Sequence, residues 1–297
     1  MFNIAVPFSS IIGAPASSLI IEYMNGLHGL SGWQWMFLIE GLPAIIMGIV
    51  VLRWLPETPE QAGFLTQDER SWLSSRLADE RSAREAKEKF TVGRALKDPR
   101  VLLMCLVAVG LVMGTTGIAI WMPQFVKSFG LTNLQTGLVT AIPPLFMAAA
   151  MILVGRSADR TGERVWHAAG PFIVSGFGFV LAAMAGSPLV SLIGLTIGAA
   201  GIGGASPNIW IFPSTLLTGS AAAAGIALIN SVGSTGGFFG PSIIGWVRDA
   251  TGGFQGSLLF LAAAMIVTAA AILVLGRSMR EMMQEQAASP AAKEVRA

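Results

Sequence analysis

The chain has 297 residues, of which 53% are hydrophobic and only 12% are charged, about half the charged fraction of a typical soluble domain. Its formal net charge of +2, with basic residues scattered at the edges of apolar runs, does not suggest a nucleic-acid-binding protein. The composition predicts an all-α polytopic membrane protein embedded in a lipid bilayer.

Eight apolar stretches are long enough to cross a bilayer, which takes about 20 residues of helix. In chain order they cover approximately residues 2–21, 33–52, 101–121, 135–154, 166–185, 189–212, 221–244 and 256–275. The single cysteine, Cys105, lies inside the third stretch, and we interpret it as a small core hydrophobe.

The second stretch carries a carboxylate, Glu40, and begins with an aromatic pair, Trp33 and Trp35, that suits the outer membrane interface. A carboxylate inside a span is a functional hypothesis by default. The alternative is a structural acid that caps a helix or pairs with a neighbour near the interface. We favour the structural interpretation of Glu40.

The segment between the second and third spans, residues 55–99, is predicted to be a cytoplasmic linker with its own helix. Pro56 ends the second span because proline cannot continue a helix. Thr66 and Glu69 fit a capping box, which predicts an amphipathic helix over about residues 66–89. That helix can lie on the bilayer surface or serve as a solvated connector between two membrane bundles, and we favour the connector.

Lysine and arginine are distributed unequally between the two sides of the spans. Residues 53–100 hold ten of them, the loop after the fourth span holds three, and the tail after residue 276 holds four. The opposite side receives only two, Lys127 and Arg248. Because cytoplasmic loops carry the excess of basic residues, both termini are predicted to be cytoplasmic.

The loop after the fourth span, residues 155–164, reads Gly-Arg-Ser-Ala-Asp-Arg-Thr-Gly-Glu-Arg. Asp159 can pair with an arginine, or with the N-terminus of a neighbouring helix, and so hold two helices together at the cytoplasmic edge. Gly155 would permit close packing, and Gly162 would permit a tight turn. An ordinary basic turn is the alternative interpretation.

This loop resembles the Gly-x-x-x-Asp-Arg-x-Gly-x-Arg loop of major facilitator transporters. The resemblance implies a role in conformational gating rather than in contact with a substrate. The residues that it implicates are Gly155, Asp159, Arg160, Gly162 and Arg164.

Polar groups interrupt the seventh span. Asn230 is an amide near its middle, where an unpaired amide would be costly, so this side chain should face a cavity or another helix. Ser234 lies one turn further along the same face, and Ser231 is adjacent. These groups can hydrogen-bond a hydroxylated or carboxylated solute, or they can join helices through polar contacts among small residues. The residues alone leave both alternatives open.

Residues 32–43, Gly-Trp-Gln-Trp-Met-Phe-Leu-Ile-Glu-Gly-Leu-Pro, and the linker at 55–70 resemble the anion:cation symporter family of the major facilitator superfamily. That family includes bacterial permeases for tartrate, phthalate and galactonate. The resemblance implies secondary transport of a small organic anion, such as tartrate, an aromatic acid or a sugar acid, with protons and by alternating access.

Members of that family use a tryptophan of the tenth helix and an asparagine of the eleventh near the substrate. Trp210 and Asn230 stand at the matching places in this chain. The substrate-binding residues that the resemblance implies are Trp210, Asn230, Ser231 and Ser234.

The order of the spans differs from that of a complete major facilitator, in which twelve helices form two bundles around a central site. The long linker follows the second span instead of the sixth, and the motif loop follows the fourth instead of the eighth. We therefore expect the chain to correspond to helices five to twelve, as an N-terminally truncated fragment or through a misplaced start. A genuine eight-span protein that pairs with another chain is the alternative. The expected parts are the last two helices of the N-terminal bundle (1–54), the linker (55–99), a six-helix C-terminal bundle (100–276) and a cytoplasmic tail (277–297).

No catalytic constellation is visible in the sequence. It contains no Ser/His/Asp set, P-loop or metal-ligand spacing at a credible depth, so we expect no enzyme activity, cofactor or metal. His28 and His167 have no visible partner, and Trp121 with Gln124 can line an outer vestibule or belong to the aromatic belt. The expected protein is a monomer of the bacterial inner membrane that binds an organic anion and protons. An inactive fragment, or a structural membrane subunit without transport of its own, is the alternative function.

Overall fold

The computed structural model describes residues 4–85, 98–216 and 220–288. Within these ranges every regular element is helical, which confirms the all-α fold class. The α-helices are α1 (Ala5–Tyr23), α2 (Gly32–Trp54), α3 (Gln67–Glu85), α4 (Pro99–Lys127), α5 (Asn133–Thr140), α6 (Ile142–Thr161), α7 (Val165–Met184), α8 (Pro188–Ile209), α9 (Ile211–Leu216), α10 (Ser220–Thr251) and α11 (Gln255–Ala288). The predicted linker helix beyond residue 85 and the predicted tail beyond residue 288 lie outside the described residues.

Seven helical stretches among the described residues are long and apolar enough to cross a membrane. They are α1, α2, α4, the α5–α6 pair, α7, α8 with its extension to Pro213, and α11. The remaining predicted span, residues 221–244, lies within α10, which is long enough at 32 residues but is not among those seven. Asn230 and a series of glycines, serines and threonines lower the mean hydropathy of α10.

The start of α3 follows the predicted capping box. The backbone N–H of Thr66 donates to Glu69 Oε2 at 2.9 Å, and the backbone N–H of Glu69 donates to Thr66 Oγ1 at 3.4 Å. Hydrogen bonds from the backbone and the side chain of Thr66 hold the pKa of Glu69 below its ordinary value. These reciprocal bonds satisfy donors that the first turn of a helix leaves unpaired, so the local sequence is sufficient to begin α3.

The helices from α4 onward pack as a bundle around one apolar core. α10 packs along α4, α11 lies between α4 and α7, and α8 lies between α6 and α7. Large side chains from four of these helices are fully buried in the core, including Met104, Phe172, Ile202 and Met265. The loop at residues 162–164 lies at one end of this bundle, here named the basic end, and the turns after α4 and α10 lie at the opposite end.

Glycine allows α7 and α8 to meet backbone to backbone. A Cβ added at Gly178 of α7 would lie 2.5 Å from the backbone nitrogen of Gly198, and one added at Gly194 of α8 would lie 2.5 Å from that of Ala182. Ser175 Oγ donates to the carbonyl oxygen of Gly198 at 2.8 Å across the same contact. Small residues at a crossing let membrane helices gain contact through van der Waals packing and short hydrogen bonds.

The first two helices form a separate layer beside this bundle. α1 packs against α2, α5 and α6. None of the most apolar window of α2 is buried. Ser17 Oγ of α1 donates to Glu40 Oε1 of α2 at 2.5 Å, so Glu40 has a partner on the neighbouring helix. α1 therefore joins α2 to the rest of the described chain.

Candidate functional site

Most of the predicted loop is helical, because residues 155–161 form the last two turns of α6 and the helix ends in a glycine turn only at Gly162. Gly162 has φ +69°, a left-handed backbone that glycine adopts without strain, and its N–H donates to the carbonyl oxygen of Ala158 at 2.9 Å. The tight turn predicted at Gly162 is therefore present.

The close packing expected at Gly155 is absent. A Cβ there would meet only Pro207 Cγ, at 3.9 Å. α6 and α8 approach each other closely elsewhere, where a Cβ at Gly203 would lie 2.4 Å from the carbonyl oxygen of Met147. The two helices therefore have room between them at the basic end, and Gly155 is not needed there to make space.

The side chain of Arg164 links three helices through an ion pair and a hydrogen bond. Arg164 Nη2 lies 2.9 Å from Asp159 Oδ1, and Arg164 Nη1 donates to Asn208 Oδ1 at 3.4 Å. The pairing of Asp159 with an arginine follows the prediction, but Asn208 is a partner that the sequence did not identify. Arg160 is exposed in the last turn of α6. The arrangement connects the end of α6, the start of α7 and the end of α8.

Asn208 has a second function in this arrangement. Its side chain is buried, with 1% of the residue exposed, and its Nδ2 donates to the carbonyl oxygen of His167 at 3.2 Å. In a regular helix that carbonyl would accept from the N–H of residue 171, but Pro171 has none. The amide of Asn208 therefore replaces the missing donor. A proline inside a predicted span is the sequence signal for such a partner, although it does not say which side chain supplies the donor.

Glu163 and His167 form a second set of contacts at the start of α7. The carboxylate of Glu163 accepts from the backbone N–H of Trp166 at 2.9 Å and lies 3.0 Å from His167 Nδ1, while His167 Nε2 lies 2.9 Å from Ser157 Oγ. His167 therefore has partners that the sequence did not reveal. Partial burial raises the pKa of Glu163, but the hydrogen bonds from Trp166 and His167 lower it by more, so this pKa lies below its ordinary value.

We expect Glu163→Gln to lower the midpoint of thermal unfolding by about 2 °C near neutral pH, because an amide interacts less favourably than a carboxylate with the helix N-terminus. The folded-state pKa of Glu163 lies below the ordinary value of 4.5, so the carboxylate stabilises the fold above that pH. The stabilisation is lost as the pH falls through the folded-state pKa. Thermal unfolding of both proteins across that range should show the difference shrinking in acid, and a difference independent of pH would contradict the assignment.

Asn230, Ser231 and Ser234 lie together on an exposed face of α10. The three residues are exposed, and Ser234 Oγ donates to the carbonyl oxygen of Asn230 at 2.8 Å. Another face of α10 packs closely on α4, where a Cβ at Gly236 would lie 2.3 Å from the carbonyl oxygen of Val109. The helical repeat thus separates a glycine face that contacts α4 from a polar face that is open.

The structure places Trp210 differently from these three residues. Trp210 follows the last residue of α8 and packs, half-buried, against the apolar core. It is two residues beyond Asn208 and therefore belongs to the basic end of the bundle. Its described contacts are apolar, whereas Asn230 offers an exposed amide.

A cluster around Arg248 occupies the opposite end of the bundle. The guanidinium carbon of Arg248 lies 5.3 Å from the centre of the Trp121 ring and 4.8 Å from that of Phe254. Arg248 Nη1 donates to Gln124 Oε1 at 3.1 Å, and Trp121 Nε1 donates to the carbonyl oxygen of Pro241 at 3.0 Å. The sequence singled out Trp121 and Gln124 but used Arg248 only to predict orientation. The structure brings Trp121 and Gln124 together around the guanidinium of Arg248.

A cavity of about 500 Å³ opens beside this cluster. Its polar lining comes from α1, α4, α5, α10 and the turn after α4, and includes Ser18, Gln124, Lys127, Ser128, Asn133 and Arg248. Lys127 Nζ donates to Asn133 Oδ1 at 2.8 Å across that turn. Among the described residues no group of three or more His, Cys, Asp or Glu side chains could hold a metal ion.

Comparison with known proteins relates the chain to membrane transporters. A sequence model of the Major Facilitator Superfamily matches residues 1–241. Two Agrobacterium vitis proteins, each named "Putative tartrate transporter", are 45% identical over 281 residues and 44% identical over 289 residues. These matches cover 95% and 97% of this chain and 64% of each relative.

A more distant relative is a quinolone resistance transporter of Acinetobacter baumannii, 32% identical over 267 residues, with 90% of this chain and 61% of the relative covered. The chain thus spans less than two thirds of the length of these three relatives. Among solved structures, the fucose:proton symporter of Escherichia coli matches with a TM-score of 0.57 and 15% identity, covering 92% of this chain and 82% of the symporter chain. At that identity the likeness concerns the fold alone.

Proposed function

The chain belongs to the Major Facilitator Superfamily and is a multi-pass membrane protein, and from this premise we propose that it transports a small organic anion by secondary active transport. The identity of 44–45% to two proteins named as tartrate transporters carries the proposal and makes tartrate the first candidate. An aromatic acid or a sugar acid is the next candidate class. The three curated relatives described above are all named as transporters, which supports a transporter rather than an enzyme.

The polar face of α10 is the proposed contact with the substrate. Asn230 offers an amide, and Ser231 and Ser234 offer hydroxyl groups, all on an exposed face. An amide and hydroxyls can exchange hydrogen bonds with the hydroxyl and carboxylate groups of a hydroxy acid. Trp210 remains a proposed substrate residue, with a more indirect contribution because it packs against the core at the basic end.

The contacts of Asp159, Arg164 and Asn208 are proposed to form the gate at the basic end, together with the turn at Gly162 and the exposed Arg160. The ion pair is partly exposed, with 30% of the Arg164 side chain and 71% of the Asp159 side chain accessible, so it can break at low cost. Such a pair suits a contact that opens and closes as two bundles rock about a central site. The excess of basic residues supports a cytoplasmic position for this end in a bacterial inner membrane.

Uptake by proteoliposomes that contain the chain tests the proposal. Radiolabelled L-tartrate, phthalate and galactonate are compared, with and without a pH gradient that is acidic outside. We expect uptake of at least one anion above that of protein-free liposomes, accelerated by the gradient. Uptake at the same rate with and without the gradient would contradict proton coupling. Absence of uptake for every anion would contradict transport by this chain and favour the structural-subunit alternative.

The substrate face is tested with two matched serine substitutions in α10. Ser234 and Ser242 are both exposed, and each hydroxyl donates to the carbonyl oxygen four residues earlier, at 2.8 Å and 2.7 Å. We expect Ser234→Ala and Asn230→Ala to reduce uptake about tenfold through lost hydrogen bonds to a charged solute, and Ser242→Ala to leave it unchanged. Equal uptake in the three variants would remove the site assignment while leaving the transport proposal intact.

A further inference from the structure

We propose that the cavity beside Arg248 is a second binding site, which captures a small carboxylate at the opposite end of the bundle from the gate. The choice of a carboxylate as ligand rests on the proposed transport function. The cavity itself, its charge and its donors are features of the described residues. The site is separate from the polar face of α10 because its lining does not include Asn230, Ser231 or Ser234.

Charge is the first argument for an anion. Of the 19 lysines and arginines, the charge pattern assigns only Lys127 and Arg248 to the side away from the basic loops, and both line this cavity. None of the described residues that line the cavity is an aspartate or glutamate. Glu22 follows the lining residue Ile21 and Asp249 follows Arg248, and both acids are exposed. Two cations beside an apolar wall concentrate positive potential and raise the local concentration of anions.

The way Arg248 is held is the second argument. Its guanidinium lies against the rings of Trp121 and Phe254, and a single described hydrogen bond, to Gln124, uses one of its five N–H donors. Stacking on aromatic rings restricts the side chain before a ligand arrives, which reduces the entropy lost on binding. A planar fork of donors that is already in place matches a carboxylate.

The neighbouring amides are the third argument. Gln124 accepts from Arg248 through Oε1, and Asn133 accepts from Lys127 through Oδ1. Because the two oxygens are engaged by cations, the amide NH₂ groups of Gln124 and Asn133 remain as donors. A site with two cations and further N–H donors favours an anion over a neutral polyol. Its volume of about 500 Å³ lies within the usual range for small-molecule sites.

The lining also joins α1 to the bundle. Ser18 and Ile21 come from α1, and the other lining residues come from α4, α5, α10 and the turns beside them. A Cβ at Gly137 of α5 would lie 2.8 Å from the carbonyl oxygen of Ala14, so α1 and α5 approach closely beneath the cavity. Movement of α1 against α4 would change the size of the site. Capture of the anion is therefore sensitive to the rocking of the helices that the proposed transport requires.

Thiol labelling at Ser128 tests the potential inside the cavity. Ser128 is exposed and lines the cavity, and the chain has one cysteine, Cys105, which is buried. Ser128→Cys in a Cys105→Ala background, in neutral phosphatidylcholine nanodiscs, is treated with sulfonatoethyl or trimethylammonioethyl methanethiosulfonate. Each labelling rate is divided by the rate of the same reagent with a free thiol. We expect the ratio of the anionic reagent's normalised rate to that of the cationic reagent to be about ten. Lys127→Gln or Arg248→Gln should lower this ratio severalfold.

Arg53→Gln is the matched control, because it removes the same charge from an exposed residue in the last turn of α2. It should leave the labelling ratio unchanged. An equal change in Arg53→Gln and Arg248→Gln, or no change in either cavity variant, would overturn the proposal. Circular dichroism and monodispersity identify any variant that fails to fold, and the exposed Lys127→Gln still tests the charge if Arg248→Gln is unstable.

Protection of the same thiol tests ligand binding. We expect L-tartrate to slow labelling of Ser128→Cys at concentrations where the neutral polyol threitol does not, and Lys127→Gln to weaken that protection about tenfold. Equal protection by tartrate and threitol, or protection indifferent to Lys127→Gln, would overturn the site. If phosphatidylglycerol nanodiscs slow the labelling and tartrate does not, the cavity binds a lipid headgroup and not a small carboxylate. That result would also overturn the proposal.

The labelling and uptake measurements separate the two proposals. If tartrate protects the thiol but no uptake occurs, the proposed site is supported and the proposal of transport by this chain is contradicted. If uptake occurs without protection, transport is supported and the proposed site is contradicted.

Discussion

Gly178→Val is expected to prevent normal packing of α7 on α8 and to destabilise the protein by about 3 kcal/mol or more, at the upper end of the usual range for overpacking. A Cβ at Gly178 would lie 2.5 Å from the backbone nitrogen of Gly198 and 2.7 Å from the carbonyl oxygen of Gly194. Both atoms belong to the main chain, so no side-chain rotation can relieve the clash. The two helices would have to separate, and the hydrogen bond from Ser175 to Gly198 would be lost with the contact.

Gly48→Val in the middle of α2 is the matched control. No heavy atom lies within 4 Å of a Cβ at Gly48, which is exposed, and the intrinsic helix propensity changes by the same amount as at Gly178. Size-exclusion profiles in detergent and thermal unfolding should show a poorly folded Gly178→Val protein and a nearly normal Gly48→Val protein. Similar behaviour of the two variants would mean that the backbone contact between α7 and α8 is not made as described.

Asn208→Ala is expected to cost about 2 kcal/mol of folding free energy, because it removes the hydrogen bonds of a buried amide to a part-buried carbonyl and to a charged arginine. The carbonyl oxygen of His167 accepts from Asn208 Nδ2, and Pro171 cannot supply the usual N–H. The same substitution removes the oxygen that accepts from Arg164. The variant should therefore also weaken the proposed gate, which uptake measurements can detect separately from the thermal midpoint.

A double-mutant cycle with Pro171→Ala isolates the missing hydrogen bond. Pro171→Ala restores an N–H four residues after His167, so Asn208→Ala should cost less in that background than in the wild type. Asn230→Ala is the control for loss of an asparagine amide, because Asn230 is exposed and its substitution should leave the thermal midpoint unchanged. Equal costs of Asn208→Ala in both backgrounds would refute the role assigned to its Nδ2.

Local features of this chain were predictable from its sequence. The turn at Gly162, the capping box of Thr66 and Glu69, and the positions of seven apolar helices follow from rules that act over a few residues. The polar face of α10 also follows from the helical repeat, since Asn230 and Ser234 are one turn apart. The prediction of close packing at Gly155 was wrong, because α6 and α8 approach each other most closely near Met147 and Gly203.

The sequence by itself therefore determined the fold class, the helices and the resemblance to a family of transporters, because hydropathy and helix-end signals depend on neighbours along the chain. Only the tertiary structure decided which polar groups meet. Asn208 bonds a carbonyl 41 residues earlier, and Arg248 bonds an amide 124 residues earlier. Such partners depend on which faces of packed helices come together, and helical periodicity defines the faces of each helix but not the helix that each face contacts.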